Sequence, residues 1–290
     1  MTRPLWGEPM TRQALRIWTT QSFATFGVFA LLLQSYQAIW DRAAFPGFAG
    51  QVTAAVAVAS IGFGLYRTRP GRSVARDLRT PRCRVEVVPG DLFDQEDFHL
   101  VIGFTDVFDT DPGDSRIVNE QSVQAQLLRR VYDAELDRLD ADLATALAGV
   151  PVRETVSRAD KTLGKLDRYP LGTVAVLGTA RRHFFCLAYS SMSAGLTARS
   201  SVDILWHSLS RLWEAVDEHG QRRPLAMPLI GAALARVDTL DRRSLLRLIL
   251  LSFVAASRER VRTTHLRIVV PPAEFEEIDR LELQAFVDSL

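Results

Sequence analysis

Two stretches near the N-terminus lack the alternation of apolar and polar positions that a soluble fold would need. Ile17 to Trp40 and Ala43 to Tyr66 are uncharged runs of 24 residues each, separated by Asp41 and Arg42. A bilayer core about 30 Å thick takes roughly 20 helical residues, so the runs predict two spanning helices, at about 17–40 and 43–66. The first holds Phe23, Phe26, Phe29 and Leu31 to Leu33, with Trp18, Tyr36 and Trp40 toward its ends, where interfacial rings sit. The second is a Gly/Ala/Val sequence with Gly62 and Gly64, small residues that let helix backbones approach closely.

From Cys83 onward short apolar runs alternate with helical periodicity, the pattern of an α/β domain. Strands are predicted at Arg84–Val88, Phe98–Phe104, Thr173–Leu177, His183–Ser190, Leu225–Ile230 and His265–Val270. Phe98–Phe104 is almost uninterrupted in its apolarity, as for a strand buried on both faces. One helix is predicted through Leu128, Leu136, Leu139, Leu143 and Leu147, stopping at Gly149. A second follows the capping spacing of Ser200 to Asp203, a third opens at Thr239, and a short amphipathic helix runs to Leu290. Gly178 to Arg182 predicts a hairpin connection, and the polar stretch Gly149–Gly172 predicts the least ordered loop.

Charge sorts these segments. The chain has 35 basic and 34 acidic residues, a net charge of +1, which leaves no field for a nucleic-acid-dedicated protein. Its 47% hydrophobic content excludes disorder. Arg67, Arg69, Arg72, Arg76, Arg79, Arg82 and Arg84 follow the second apolar run, opposed only by Asp77, and Arg3, Arg12 and Arg16 precede the first. That bias argues against a buried globular hairpin and places both termini in the cytoplasm. Basic residues just beyond a span meet anionic headgroups. Domain boundaries follow: residues 1–82 as a transmembrane hairpin with a basic juxtamembrane segment, and 83–290 as the α/β domain.

Several chemistries are excluded by their missing motifs: the Gly-x-Ser-x-Gly elbow, the phosphate-binding Walker loop, the complete dinucleotide glycine motif and His-Glu-x-x-His. The five histidines are scattered, and two cysteines build neither a disulfide framework nor a metal site. What remains is a set of loops at strand C-termini, where α/β sheets bind ligands. They are Gly90-Asp91-Leu92, Gly103 to Asp109, and Gly231-Ala232-Ala233-Leu234-Ala235 with Arg236 behind it. In the last, small residues would let backbone N–H groups reach a phosphate and Arg236 would add a charge-assisted bond. From the residues alone, a tight turn that needs only Gly231 explains that loop at least as well.

At these residues the chain resembles a macro domain, the three-layer α/β/α module that binds ADP-ribose. Val87-Val88-Pro89-Gly90-Asp91-Leu92 is similar to the family's opening strand and turn, and Met227 to Leu234 to its later strand and diphosphate loop. Phe98 to Asp106 stands in the place of the strand and loop facing the distal ribose. Two apolar runs before this domain resemble the membrane effector of type II Thoeris anti-phage defence, as do Gly103 to Thr110, Tyr169 to Gly172, Ala188 to Met192 and Pro228 to Arg236.

The resemblance implies a multi-pass protein of the bacterial inner membrane with its macro-like domain in the cytoplasm. It implies a non-catalytic receptor for a nucleotide signal, a histidine–ADP-ribose conjugate made by a TIR-domain protein, without any other cofactor or metal. The signal would drive homo-oligomerisation and disrupt the lipid bilayer. Asp91 would accept the adenine amino group, with Leu92 beside it. Thr105 and Asp106 would face the distal ribose, and Gly231, Ala232, Ala233, Leu234, Ala235 and Arg236 the diphosphate. Thr105 stands where macro hydrolases carry an asparagine. The alternative is a membrane-tethered ADP-ribosyl hydrolase in which Asp106 places a water.

Overall fold

The computed structural model describes residues 12–40, 47–67, 73–80, 82–113, 117–232 and 240–290. Its elements, in chain order, are α1 (Arg12–Trp40), α2 (Ala49–Arg67), β1 (Val74–Leu78), β2 (Cys83–Pro89), β3 (His99–Thr105), α3 (Val123–Val131) and α4 (Leu136–Leu147). Then come β4 (Glu154–Thr155), β5 (Asp167–Arg168), β6 (Val174–Thr179), β7 (Arg182–Met192), β8 (Ala198–Arg199) and α5 (Val202–His219). The chain ends with β9 (Leu225–Pro228), α6 (Arg242–Ser257), β10 (His265–Val270), α7 (Pro272–Glu276) and α8 (Arg280–Val287). Two compact units result: Met1–Gly71 with Arg280–Ala285, and Arg72–Asp279 with Phe286–Leu290.

In the first unit α1 and α2 pack as a pair. Gly64 lies so close to α1 that an added Cβ would stand 2.2 Å from the Ser22 hydroxyl and 3.0 Å from the Trp18 carbonyl oxygen. Ser60, one turn earlier on the same face, is buried. This Ser-x-x-x-Gly face is the small-residue contact that brings helix backbones together. Elsewhere both helices present large apolar side chains outward, among them Phe23, Leu31, Leu32 and Val58. Among the described residues one helix meets the length and hydropathy of a full membrane span, the 22 residues Trp18–Ile39 with mean hydropathy 1.3. The second apolar helix, Gly50–Leu65, is shorter, whereas the sequence predicts a second full span at 43–66. A turn at Gly47, with φ of +87°, delays the helix start to Ala49, and residues 43–46 lie outside the described ones.

The second unit is built on a mixed sheet of order β1-β2-β10-β9-β3-β7-β6, with β8 paired to β7. The five central strands β2, β10, β9, β3 and β7 are parallel, so their C-terminal ends share one edge; β1 and β6 run antiparallel outside them. Both faces of the sheet are covered. Leu100, Ile102 and Phe104 of β3 and Phe184, Cys186 and Ala188 of β7 share a core with Leu128, Leu139, Leu143 and Leu147 of α3 and α4. The alternate residues Val101, Phe185 and Leu187, on the other face, are equally buried. There α5 packs on β7 and against α6 through Leu205, Leu209, Leu212 and Trp213, whose ring meets Phe253 edge-on at 5.2 Å.

Helix starts follow capping chemistry. Ser122, Ser201 and Asp241 each accept the backbone N–H three residues on, at 3.2, 3.2 and 2.8 Å. Thr239, expected to open the last of these helices, lies outside the described residues.

Three further expectations differ from what forms. The sheet begins at Val74, inside the stretch read as a basic juxtamembrane segment before a boundary at Cys83, because β1 pairs with β2 from Val74↔Val87 to Leu78↔Cys83. The single helix through Leu128 and Leu147 is two helices, broken where Asp133 and Ala134 adopt positive φ of 52° and 65°. The Gly149–Gly172 stretch is organised, not loose. Lys161 is fully buried, with Nζ 2.9 Å from Asp109 Oδ2 and 2.6 Å from the Lys165 carbonyl oxygen.

Candidate functional site

The three loops picked out by sequence follow β2, β3 and β9, so the parallel sheet carries them to the same edge. At the end of β2, Gly90 N–H donates to the Val270 carbonyl at 3.0 Å, tying the turn to β10. Asp91 Oδ1 then accepts the Phe93 N–H at 2.8 Å, and Gln95 Nε2 donates to the Asp91 carbonyl at 3.0 Å. The Asp91 carboxylate keeps 41% of its surface. Its second oxygen lies 2.7 Å from Arg130 of α3, an arginine that no local pattern singles out, since 39 residues separate them. Leu92 is buried in the core, so it offers the edge only its backbone.

At the end of β3 the pairing with β7 slips by one residue, Phe104 facing Ala188 and Thr105 facing Ser190. Tyr189 is the extra residue of this bulge, and such bulges re-aim side chains at sheet rims. Its ring lies against Gly103, where a Cβ would come within 2.6 Å of Tyr189 Cε1 and 3.5 Å of Ile230 Cγ2. Burial pushes the Tyr189 phenol up to about 12, partly offset by a backbone hydrogen bond from Gly231. Gly103, Tyr189 and Gly231 thus join the ends of β3, β7 and β9 in one contact. Tyr189 stood in the sequence only as part of a family-like string; a bulge cannot be read from one strand.

Thr105 is 7% exposed, and its hydroxyl is buried without a hydrogen-bond partner among the described residues. A buried hydroxyl normally finds a partner, so Thr105 is an unsatisfied donor and acceptor at the end of β3. Asp106 differs from its expected role against the ribose. Oδ1 accepts the Met192 N–H at 2.8 Å and Oδ2 takes Arg168 at 2.5 Å, while Asp106 N–H and C=O bond Ser190 and Tyr169. Every hydrogen-bonding group of this fully buried residue is engaged with the protein, so it braces the loop.

Gly231 adopts φ of +88°, a conformation that L side chains disfavour. This turn points the chain away from β9 at the end of a buried run, Leu229 and Ile230 included. Ala232 follows it within the described residues; Ala233, Leu234, Ala235 and Arg236 lie outside them. Among the described residues no group of three or more His, Cys, Asp or Glu side chains is placed to hold a metal ion.

A mixed sheet of this order, covered on both faces and opening its ligand loops along one parallel edge, defines a macrodomain-like fold. A single-substitution variant of the Oceanobacillus iheyensis macrodomain superposes with a TM-score of 0.51 at 10% identity, covering 77% of this chain and 98% of that one. A second variant of it gives 0.49 at 11% identity over 75% and 99%, and the same macrodomain with ADP gives 0.44 at 11% over 76% and 100%. The first of these, with a TM-score of 0.51, speaks for the fold alone. No curated protein matches the sequence. The family model of the macro domain of the Thoeris protein ThsA matches residues 85–271, and the chain belongs to that family.

Proposed function

We propose that this chain is the membrane effector of a Thoeris anti-phage system, and that its sheet edge receives an ADP-ribose-derived nucleotide. The observation that carries this is the gathering of Asp91, Thr105 and Gly231 onto one edge of a sheet in the ThsA macro-domain family. Asp91 then accepts the adenine amino group, Thr105 uses its unpartnered hydroxyl toward the distal ribose, and the Gly231 turn holds the diphosphate through backbone N–H groups. Ala232 and, beyond it, Ala233, Leu234, Ala235 and Arg236 continue that cradle. The signal we favour is histidine–ADP-ribose from a TIR-domain partner.

The Trp18–Ile39 span anchors the protein in the inner membrane, with α2 as a second, shorter crossing and the α/β domain in the cytoplasm. A helix of 19 residues is about 28 Å long, close to a bilayer core of about 30 Å. Two helices enclose no pore, so membrane disruption requires homo-oligomers, and a ligand that prefers the assembled state shifts the population toward it. Receptor is favoured over ADP-ribosyl hydrolase because the Asp106 carboxylate is fully buried and both its oxygens already accept hydrogen bonds, from Arg168 and Met192.

The test is Gly231→Glu against Gly231→Ala. Both variants carry the cost of positive φ, about 1–2 kcal/mol; the glutamate adds a like charge where phosphates sit. Cells with wild-type protein are expected to take up dye and form cross-linked membrane oligomers on signal, and Gly231→Glu cells to do neither. Signal-driven oligomers in the glutamate variant would remove this pocket as the sensor.

A further inference from the structure

Arg130 closes on the residue that reads the base. Its two terminal nitrogens lie 2.7 Å from Asp91 Oδ2 and 2.9 Å from Asp94 Oδ1, and its guanidinium carbon sits 5.2 Å from the centre of the Phe93 ring. All three partners belong to the turn after β2. That turn is independently fixed: Asp91 Oδ1 is held by Phe93 N–H, and Arg182 donates to the Phe93 and Gln95 carbonyls at 3.2 and 3.1 Å. So Arg130, reaching over from the last turn of α3, is the added piece and not the support of the turn. Its own shift agrees: hydrogen bonds to Asp94 and Asp91 push the guanidinium up.

A guanidinium and an exocyclic amino group are both hydrogen-bond donors. With Asp91 Oδ1 already accepting Phe93 N–H, both compete for the side of Oδ2 that Arg130 covers. We infer that Arg130 is a competitive latch on Asp91, a specificity-determining residue that a nucleobase must displace, so that it sets the affinity threshold of the site. The inference rests on the proposed base-reading role of Asp91. The latch is an exposed ion pair, 41% of each side chain remaining accessible, so salt screens it and its strength amounts to about 2- to 5-fold in an equilibrium constant.

The experiment uses the full-length protein in lipid nanodiscs and adenosine, an uncharged probe that isolates the base site from phosphate electrostatics. Affinity is measured by ligand-observed saturation-transfer NMR for wild type, Arg130→Ala, Arg130→Gln and Asp91→Ala. Both Arg130 variants are expected to bind adenosine about 2- to 5-fold more tightly than wild type at about 0.05 M salt. Raising salt to about 0.5 M is expected to tighten wild type toward the variants, while their own affinity stays level. Unchanged or weaker binding in both Arg130 variants overturns the latch, provided Asp91→Ala loses affinity. If Asp91→Ala binds as wild type does, the base-reading role falls and the latch with it.

Discussion

Asp91 and Asp106 lie just past the ends of two buried parallel strands of one sheet, and from sequence they invite the same role. The fold treats them oppositely. The Asp91 side chain keeps 41% of its surface and one exposed arginine; that of Asp106 keeps 1% and is held by Arg168, which itself is 12% exposed. The difference comes from the neighbours of each strand. Asp91 follows β2, whose outer partner is only the edge strand β1, whereas Asp106 follows β3, between β9 and the long β7, which runs on to Met192, whose N–H reaches the Asp106 carboxylate. A carboxylate at a sheet edge is available to a ligand only where the adjoining strand ends early enough to leave it open.

That contrast is sharpest where Asp106 is removed. Asp106→Ala leaves the nearly buried Arg168 guanidinium with only the Met192 carbonyl and Glu154, 3.9 Å away, which costs up to about 3–5 kcal/mol and lowers the thermal midpoint by up to roughly 6–20 °C. Differential scanning fluorimetry of the purified protein reads it. A midpoint within a degree or two of wild type would return Asp106 to the list of free carboxylates.

The same rule, that buried polar groups serve the fold, extends to the opposite end of β3. His99 is 1% exposed and uses both ring nitrogens, Nδ1 accepting His183 N–H at 2.9 Å and Nε2 donating to the Gly220 carbonyl at 3.2 Å. Burial, reinforced by His183, lowers its pKa from 6.5 to about 4. The unfolded chain then takes up a proton near pH 6.5 that the folded one refuses until about pH 4. Stability is therefore full above pH 6.5, falls between the two values and flattens below pH 4. At 1.36 kcal/mol per pKa unit the loss reaches up to about 3 kcal/mol. Urea unfolding of His99→Gln over that interval is expected to show a shallower pH slope than wild type; equal slopes would place the acid sensitivity elsewhere.

The sequence made the strands, the helix caps and the Gly231 turn legible, because each depends on residues a few positions apart. Ser201 caps Ile204 three residues on, and Gly178, with φ of +87°, sits in β6 just before the two-residue turn that leads into Arg182. What escaped depends on distant pairs. Lys161 reads as one more charge in a polar loop until Asp109, 52 residues earlier, neutralises it in the interior. Arg130 and Asp91 are likewise linked only through α3. β1 escaped because an exposed, charged edge strand, Val74-Ala75-Arg76-Asp77-Leu78, buries only its two ends. Nothing in Phe104-Thr105-Asp106 announces that Arg168 will reach the Asp106 carboxylate.

The account stands or falls on whether the open carboxylate, and not the buried one, meets the nucleotide. Calorimetric titration of ADP-ribose into the full-length protein in nanodiscs, wild type and Asp91→Ala, tests this directly. One hydrogen bond to a charged acceptor is worth about 1.5–3 kcal/mol, so the variant is expected to lose roughly 10- to 150-fold in affinity, while loss of the Phe93 N–H bond lowers its thermal midpoint by no more than about 2–4 °C. Wild-type affinity in a folded Asp91→Ala protein would contradict the site.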